Sequence, residues 1–557
     1  MAKTPLFLCI AALGLALLAS GCANPTVAYH RQFEYLVREG REAIVLRELD
    51  VAYEHLSDAA ELAQFAEAND LEFVDVLTLL SEVARETGRA DEAKQRMKTA
   101  GRVLARYSLK EGSGGWTFPR VAGAYALERA RLAESRGDLN ASENAITEFF
   151  GVRGSKAAGR EAAEAHRLRG ELLLGRDLGG RAREAFERAL EAARPLEAES
   201  DARLRGAIFL RVAETEVERG RISAARELVD ATRPEGVGLP ALRPDLLLVL
   251  ARIDVAESNF DRARVRLEEA LELLAEDRDP DTPTLARAAF IARIVFDAKA
   301  EAAALEATLD RSAARVTETS PLGAVLLGRA LVDAGRDWIA TGDRARGVKA
   351  LDRGRRMIES AVRGRAHVAL LTADFEIAMA LESLGRPDVA SKRCARLQEM
   401  SKGAVLSVRE DAEATTWMIA CGRIDARQGE IARARKAFMD ALKRTQATGH
   451  ATSQFELLIR LAALARVEER DSAEAKLFER ALPMLTPEYA KRLPGLLGDA
   501  YGAQGSTAPS SAAARLAHTA VRSQGYQSWG SQLQQIATAL DTPSPAASAP
   551  PVPASRR

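Results

Sequence analysis

One pattern governs this chain: a turn, then a helical face carrying small, bulky and small residues at i, i+4 and i+7. Gly88 precedes Ala93, Met97 and Ala100; Asp177 precedes Ala182, Phe186 and Ala189; Gly220 precedes Ala224, Leu228 and Ala231. Further on, Asn259 precedes Ala263, Leu267 and Ala270; Gly342 precedes Gly347, Leu351 and Gly354; Gly385 precedes Ala390, Cys394 and Leu397. Gly429 precedes Ala434, Phe438 and Ala441, Asp471 precedes Phe478 and Ala481 with Glu474 in the first small position, and a weaker copy follows Gly137. Successive triplets stand about 40–44 positions apart, and a fixed period of this size signals stacked repeats.

Each turn follows another helical stretch, such as Leu247 to Glu257 before Asn259 and Trp417 to Gln428 before Gly429, so the unit is a helical hairpin. Gly, Asn or Asp at the junction supplies the left-handed residue that ends the first helix. The triplet spacing places its members on one face of the second helix, where alanine permits close approach and the bulky residue fills the gap. Composition agrees: aromatics are 5%, Ala, Leu, Arg and Glu dominate, and strand-like alternation is nearly absent. At 557 residues the chain is too long for one core, and the expected fold is an all-α solenoid.

The pattern resembles the tetratricopeptide repeat, whose second helix carries an Ala-x-x-x-Phe-x-x-Ala face after a Gly-Asp-like turn. Ala182-Arg183-Glu184-Ala185-Phe186-Glu187-Arg188-Ala189-Leu190 is the nearest copy, with Pro195 at the expected stop, and the resemblance covers roughly residues 72–490. The period departs from the standard repeat of about 34 residues, so longer helices or loops must absorb the excess, and HEAT-type hairpins remain an alternative. A repeat is expected at Thr284–Val316, with its turn hidden in Ala-rich sequence. Interruptions are expected at Glu111–Pro119, Pro234–Pro244 and Asp277–Pro283.

At the N-terminus, Lys3 and an apolar run from Leu6 to Leu18 lead into Leu18-Ala19-Ser20-Gly21-Cys22, which resembles the lipobox of bacterial lipoproteins. The resemblance implies cleavage before Cys22, acylation of Cys22 and, with Ala23 next, transfer to the outer membrane. Ala19 stands where the family prefers leucine. The run is shorter than the roughly 20 apolar residues of a spanning helix, and no basic cluster follows it. The expected organisation is a signal peptide over 1–21, a lipidated tether over 22–30, a helical solenoid over 31–540 and a disordered Pro/Ala-rich tail over 541–557.

Lys+Arg and Asp+Glu both number 79, which removes the electrostatic case for nucleic acid as a partner. There is no phosphate-binding loop, no His-Glu-x-x-His and no Gly-x-Ser-x-Gly; Gly112-Ser113-Gly114-Gly115 lacks the lysine and the strand a phosphate cradle needs. His30, His55, His166, His367, His450 and His518 are scattered without ligand spacing and read as surface or packing residues. Cys394 and Cys421 read as buried residues, with a disulfide the less favoured alternative. The chain is therefore expected to be no enzyme and to hold no metal or cofactor.

Arginine recurs at one offset: Arg131, Arg336 and Arg423 lie six before Gly137, Gly342 and Gly429, Arg252 lies seven before Asn259, and Arg293 echoes Arg252, while Met379 breaks the row. In tetratricopeptide arrays the first helix of each hairpin lines the groove, so the resemblance makes these arginines candidates for forking carboxylates or phosphates on a bound chain. The alternative is that arginine is common enough here for such coincidences to arise freely, each residue pairing only with a helical glutamate. The reading is an outer-membrane lipoprotein scaffold, facing the periplasm rather than the outer surface, that binds a protein or peptide. Alternatives are an enzyme or regulatory subunit acting on cell-wall or exported polymers, which lacks a polar cluster, and a solute or oligosaccharide receptor, for which Trp116, Trp338, Trp417 and Trp529 are widely separated.

Overall fold

The computed structural model describes residues 25–496, apart from 47, 64, 67, 107–116, 177, 197–200, 239–241, 277–281, 299–300, 315–320, 403–405, 407, 449–450 and 485–495, together with 499 and 500. The signal-peptide and tail expectations, Cys22 and the interruption at 111–116 lie outside these residues. Two compact units divide the chain: residues 1–331 with 356–365, and residues 332–355 with 366–557. Among the described residues every element is helical, and no helix is long and apolar enough to cross a membrane.

The fold is an all-α solenoid of helical hairpins, eleven of them among the described residues. They are α1 (Pro25–Leu46) with α2 (Leu49–Leu62), α3 (Asp70–Glu86) with α4 (Ala90–Arg106), α5 (Phe118–Ser135) with α6 (Leu139–Arg153), and α7 (Arg160–Gly175) with α8 (Gly179–Ala193). Then come α9 (Ala202–Glu218) with α10 (Ile222–Gly238), α11 (Arg243–Ala256) with α12 (Phe260–Glu276), and α13 (Thr282–Ala298) with α14 (Ala302–Ala314). The last four are α15 (Pro321–Ala340) with α16 (Arg344–Ala361), α17 (Val368–Ser383) with α18 (Pro387–Ser401), α19 (Val408–Arg427) with α20 (Ile431–Thr448), and α21 (Ala451–Val467) with α22 (Asp471–Ala481).

One junction geometry builds most of these hairpins. At Gly88, where φ is 75°, the amide donates to the Arg85 carbonyl at 3.1 Å and the Arg89 amide to the Ala84 carbonyl at 2.7 Å, the Schellman arrangement that satisfies the last carbonyls of a helix. Gly137, Gly220, Gly385 and Gly429 repeat both bonds. Counted from the left-handed residue, positions +5, +9 and +12 are buried: Ala93, Met97 and Ala100 after Gly88, and Ala434, Phe438 and Ala441 after Gly429. Position −7, on the first helix, is small: Ser81, Ala130, Ala213 and Gly422. No room for a Cβ exists at Gly422, because the Phe438 ring fills the space. Burying a ring of this kind contributes roughly 1.5–3 kcal/mol.

This geometry corrects several sequence expectations. After Gly220 the buried triplet is Ala225, Val229 and Thr232, one position beyond Ala224, Leu228 and Ala231. Ser258 (φ 63°) and Glu469 (φ 57°), not Asn259 and Asp471, are the left-handed residues. The hidden repeat turns between α13 and α14: Glu301 donates to Phe296 at 2.8 Å, and Leu305, Leu309 and Ser312 are its buried triplet. Between Pro234 and Pro244 the chain stays helical for longer than expected, since α10 runs to Gly238 and Pro244 sits in the first turn of α11, where a missing amide costs nothing. A hairpin also precedes the region of resemblance. It starts at Pro25, inside the stretch expected as a tether, and buries Ala52, Leu56 and Ala59.

Candidate functional site

The first helices of the hairpins carry the charged positions, and the same register that buries −7 aligns the residue beside it. Recounted from Ser258, Arg252 falls at −6 and joins Arg131, Arg336 and Arg423 at that offset. Arg293 does not: the Glu301 to Phe296 bond places it at the small-residue position, next to the row. Its guanidinium lies 5.6 Å from the Phe290 ring centre, and Arg252 approaches the same ring at 5.4 Å.

Sequence reading missed that glutamates occupy this offset as well. Glu82 and Glu214 lie six before Gly88 and Gly220, and Glu171 lies six before Asp177. In the first unit these acids and arginines neutralise each other across neighbouring helices. Arg131 on α5 pairs with Glu82 on α3 at 3.0 Å, with Glu164 on α7 at 2.5 Å and with Glu128 at 3.6 Å, while Arg85 holds Glu128 at 3.1 Å. Burial disfavours the Arg131 charge, but Glu164, Glu82 and Glu128 together outweigh it and push its pKa up. At Glu82 burial prevails over Arg131 and raises the carboxyl, whereas Glu164 is held low by Arg131 and Arg167 despite its burial.

A second cluster follows. Arg211 on α9 pairs with Glu171 on α7 at 2.6 Å and with Glu214 at 3.1 Å; Arg287 on α13 reaches Glu214 at 2.5 Å and also pairs with Asp245 on α11. Burial alone would raise the Glu214 carboxyl, yet Arg287, Arg211 and Arg252 bring it down to about 2. Arg252 itself pairs with Glu218 at 3.2 Å with its side chain 15% exposed.

At this offset the second unit is more open. Arg336 is 52% exposed and meets Asp333, Glu376 and Asp337 only at 3.6, 3.6 and 3.9 Å. Arg423 is 38% exposed and lies 3.4 Å from Asp499, an acid it shares with Arg427 and with Arg460 at 2.9 Å. Cys394 on α18 and Cys421 on α19 are both buried and joined in a disulfide with Cα atoms 5.3 Å apart, so the less favoured sequence alternative is the one realised. His166 is buried as a packing residue, stacked on Phe150 with ring centres 4.1 Å apart. Among the described residues no group of His, Cys, Asp and Glu is arranged to hold a metal ion.

The sequence matches no protein-family model and no curated protein. Among solved structures it is similar to a Rap protein complexed with competence and sporulation factor, at 14% identity over 71% of this chain and 98% of that one, with a TM-score of 0.40. It is also similar to a STAND signal-transduction ATPase with a tetratricopeptide-repeat sensor from Pyrococcus horikoshii (13% identity, 82% and 74% of the two chains, TM-score 0.40). A tetratricopeptide repeat protein from Parabacteroides merdae resembles a shorter part (16% identity, 53% and 98%, TM-score 0.31). The hairpin architecture stands on the turn geometry of this chain. Arrays of such hairpins are widely used to bind protein partners.

Proposed function

We propose that this protein is a non-catalytic scaffold, a lipoprotein fixed through Cys22 to the outer membrane and facing the periplasm, whose first helices hold an extended protein or peptide. The observation that carries the binding reading is the contrast along one offset: Arg131 is enclosed by three carboxylates, whereas Arg336 and Arg423 are exposed and loosely paired. A carboxylate on a partner can displace the long contacts at Arg336 and Arg423 at little cost, but not the close, half-buried pairs at Arg131. Binding is thus assigned to the second unit, and Arg131 and Arg252 support the fold. The Cys394–Cys421 disulfide supports export, because such bonds persist in oxidising compartments.

Pull-down from detergent-solubilised envelopes with the mature chain tests the scaffold reading. Arg336→Gln with Arg423→Gln should lose the captured protein while helix content is unchanged; capture that survives the double change removes these residues from the site. Fatty-acid labelling tests the anchor: label on the wild type and none on Cys22→Ser is expected.

A further inference from the structure

Apolar side chains left in solvent are usually scattered over a surface. Here they are not. Of the nine large apolar side chains exposed among the described residues, Val27, Tyr35, Val45, Leu46, Val51 and Phe65 all belong to the first hairpin or the connector just after it. On α1, Val27, Tyr35 and Val45 share one stripe with Arg31 and Arg38, since the spacings of four, four, three and seven follow the helical repeat. The Arg38 guanidinium lies 5.4 Å from the Tyr35 ring centre, so the aromatic and the charge are presented together. The opposite side of α1 supplies Phe33, Leu36, Val37 and Ala43 to the core.

From these residues we infer that the outward stripe of α1 lies on the phospholipid headgroups of the leaflet that holds the acyl chains. The inference rests on Cys22 being the acylated residue. Pro25 stands three positions after Cys22, and a fully extended chain gains at most about 3.6 Å per residue, so the start of α1 is held within roughly 11 Å of the acylated cysteine. A helix placed there with Val, Tyr and Arg on its outer face has the composition of an interfacial helix: the apolar groups enter the headgroup boundary and the arginines reach anionic phosphates. Glu34 borders the stripe, Glu42 lies within it and Glu39 pairs with Arg38 at 3.2 Å, and these acids limit how deeply it enters.

The test uses the full acylated chain in vesicles of phosphatidylethanolamine and phosphatidylglycerol, with a photo-crosslinking phenylalanine analogue placed singly at Val27, Tyr35 or, as an exposed control on α12, Val265. Mass spectrometry reads the adducts and the acylation of Cys22. Phospholipid adducts at 27 and 35 well above those at 265 are expected, falling on Arg31→Glu with Arg38→Glu. An acylated chain that gives no lipid adducts at 27 and 35 overturns the inference and leaves the anchor standing. A chain without acyl groups on Cys22 overturns both.

Discussion

Gly170 on α7 lies beneath the Phe186 ring on α8, sixteen positions further along the chain, and the pairing recurs at the same separation between Gly40 and Leu56, Gly335 and Leu351, and Gly422 and Phe438. Glycine in a helix normally costs about 1 kcal/mol relative to alanine. At Gly170 the ring occupies the volume a methyl group would need, so Gly170→Ala should destabilise by roughly 1–3 kcal/mol in spite of its better helix propensity. Gly151 on α6 has no neighbour near its would-be Cβ, and Gly151→Ala should stabilise by up to about 1 kcal/mol. Urea unfolding followed by circular dichroism reads both, and a common sign for the two would disprove the pairing.

Acid should loosen the first unit through His166. Burial, with Arg188 and Arg169 nearby, lowers its pKa from 6.5 to about 4. The unfolded chain therefore binds this proton at a higher pH than the folded one, and stability present above pH 6.5 is lost as pH falls towards 4, by roughly 3 kcal/mol in full. His166→Phe should flatten the pH dependence of the unfolding midpoint across that window. An unaltered slope would show that another group sets it.

Arg131→Gln should cost about 1–3 kcal/mol, because it leaves the buried Glu128 and the half-buried Glu82 and Glu164 facing a neutral side chain. Arg336→Gln should change stability by no more than about 0.5 kcal/mol. Equal effects in thermal unfolding would contradict the division of the arginine row into supporting and binding members.

Removing the disulfide by Cys394→Ala with Cys421→Ala should lower the stability of the second unit by about 3 kcal/mol, since the link closes a loop 27 residues long. Reductant should reproduce the loss in the wild type and do nothing further to the variant. Hydrogen exchange confined to α17–α20 would locate the effect.

The hairpins were legible because a small–bulky–small face after a turn needs no tertiary context to be read. Its register after Gly220 was not, since Ala224 and Ala225 are both small and Leu228 and Val229 both bulky; only the constant +5 offset from the left-handed residue decides. Ser258 and Glu469 adopt the left-handed conformation without being glycine, which hid the true turn positions. The arginines were visible singly, but apart from Glu128 on the same helix the acids that enclose Arg131 and Arg287 come from helices 33 to 73 positions away, beyond any periodicity within one helix.

The disulfide joins the second helix of one hairpin to the first helix of the next, across an interface where Ser391 also donates to Asp425 at 2.6 Å. In a chain whose repeats touch mainly their neighbours, a load applied lengthwise is borne by each interface in series, and the weakest parts first. Between α18 and α19 that rupture is forbidden by a covalent bond. The α17–α20 segment consequently behaves under tension as one link rather than two, and a lengthwise pull across it must yield at some other joint.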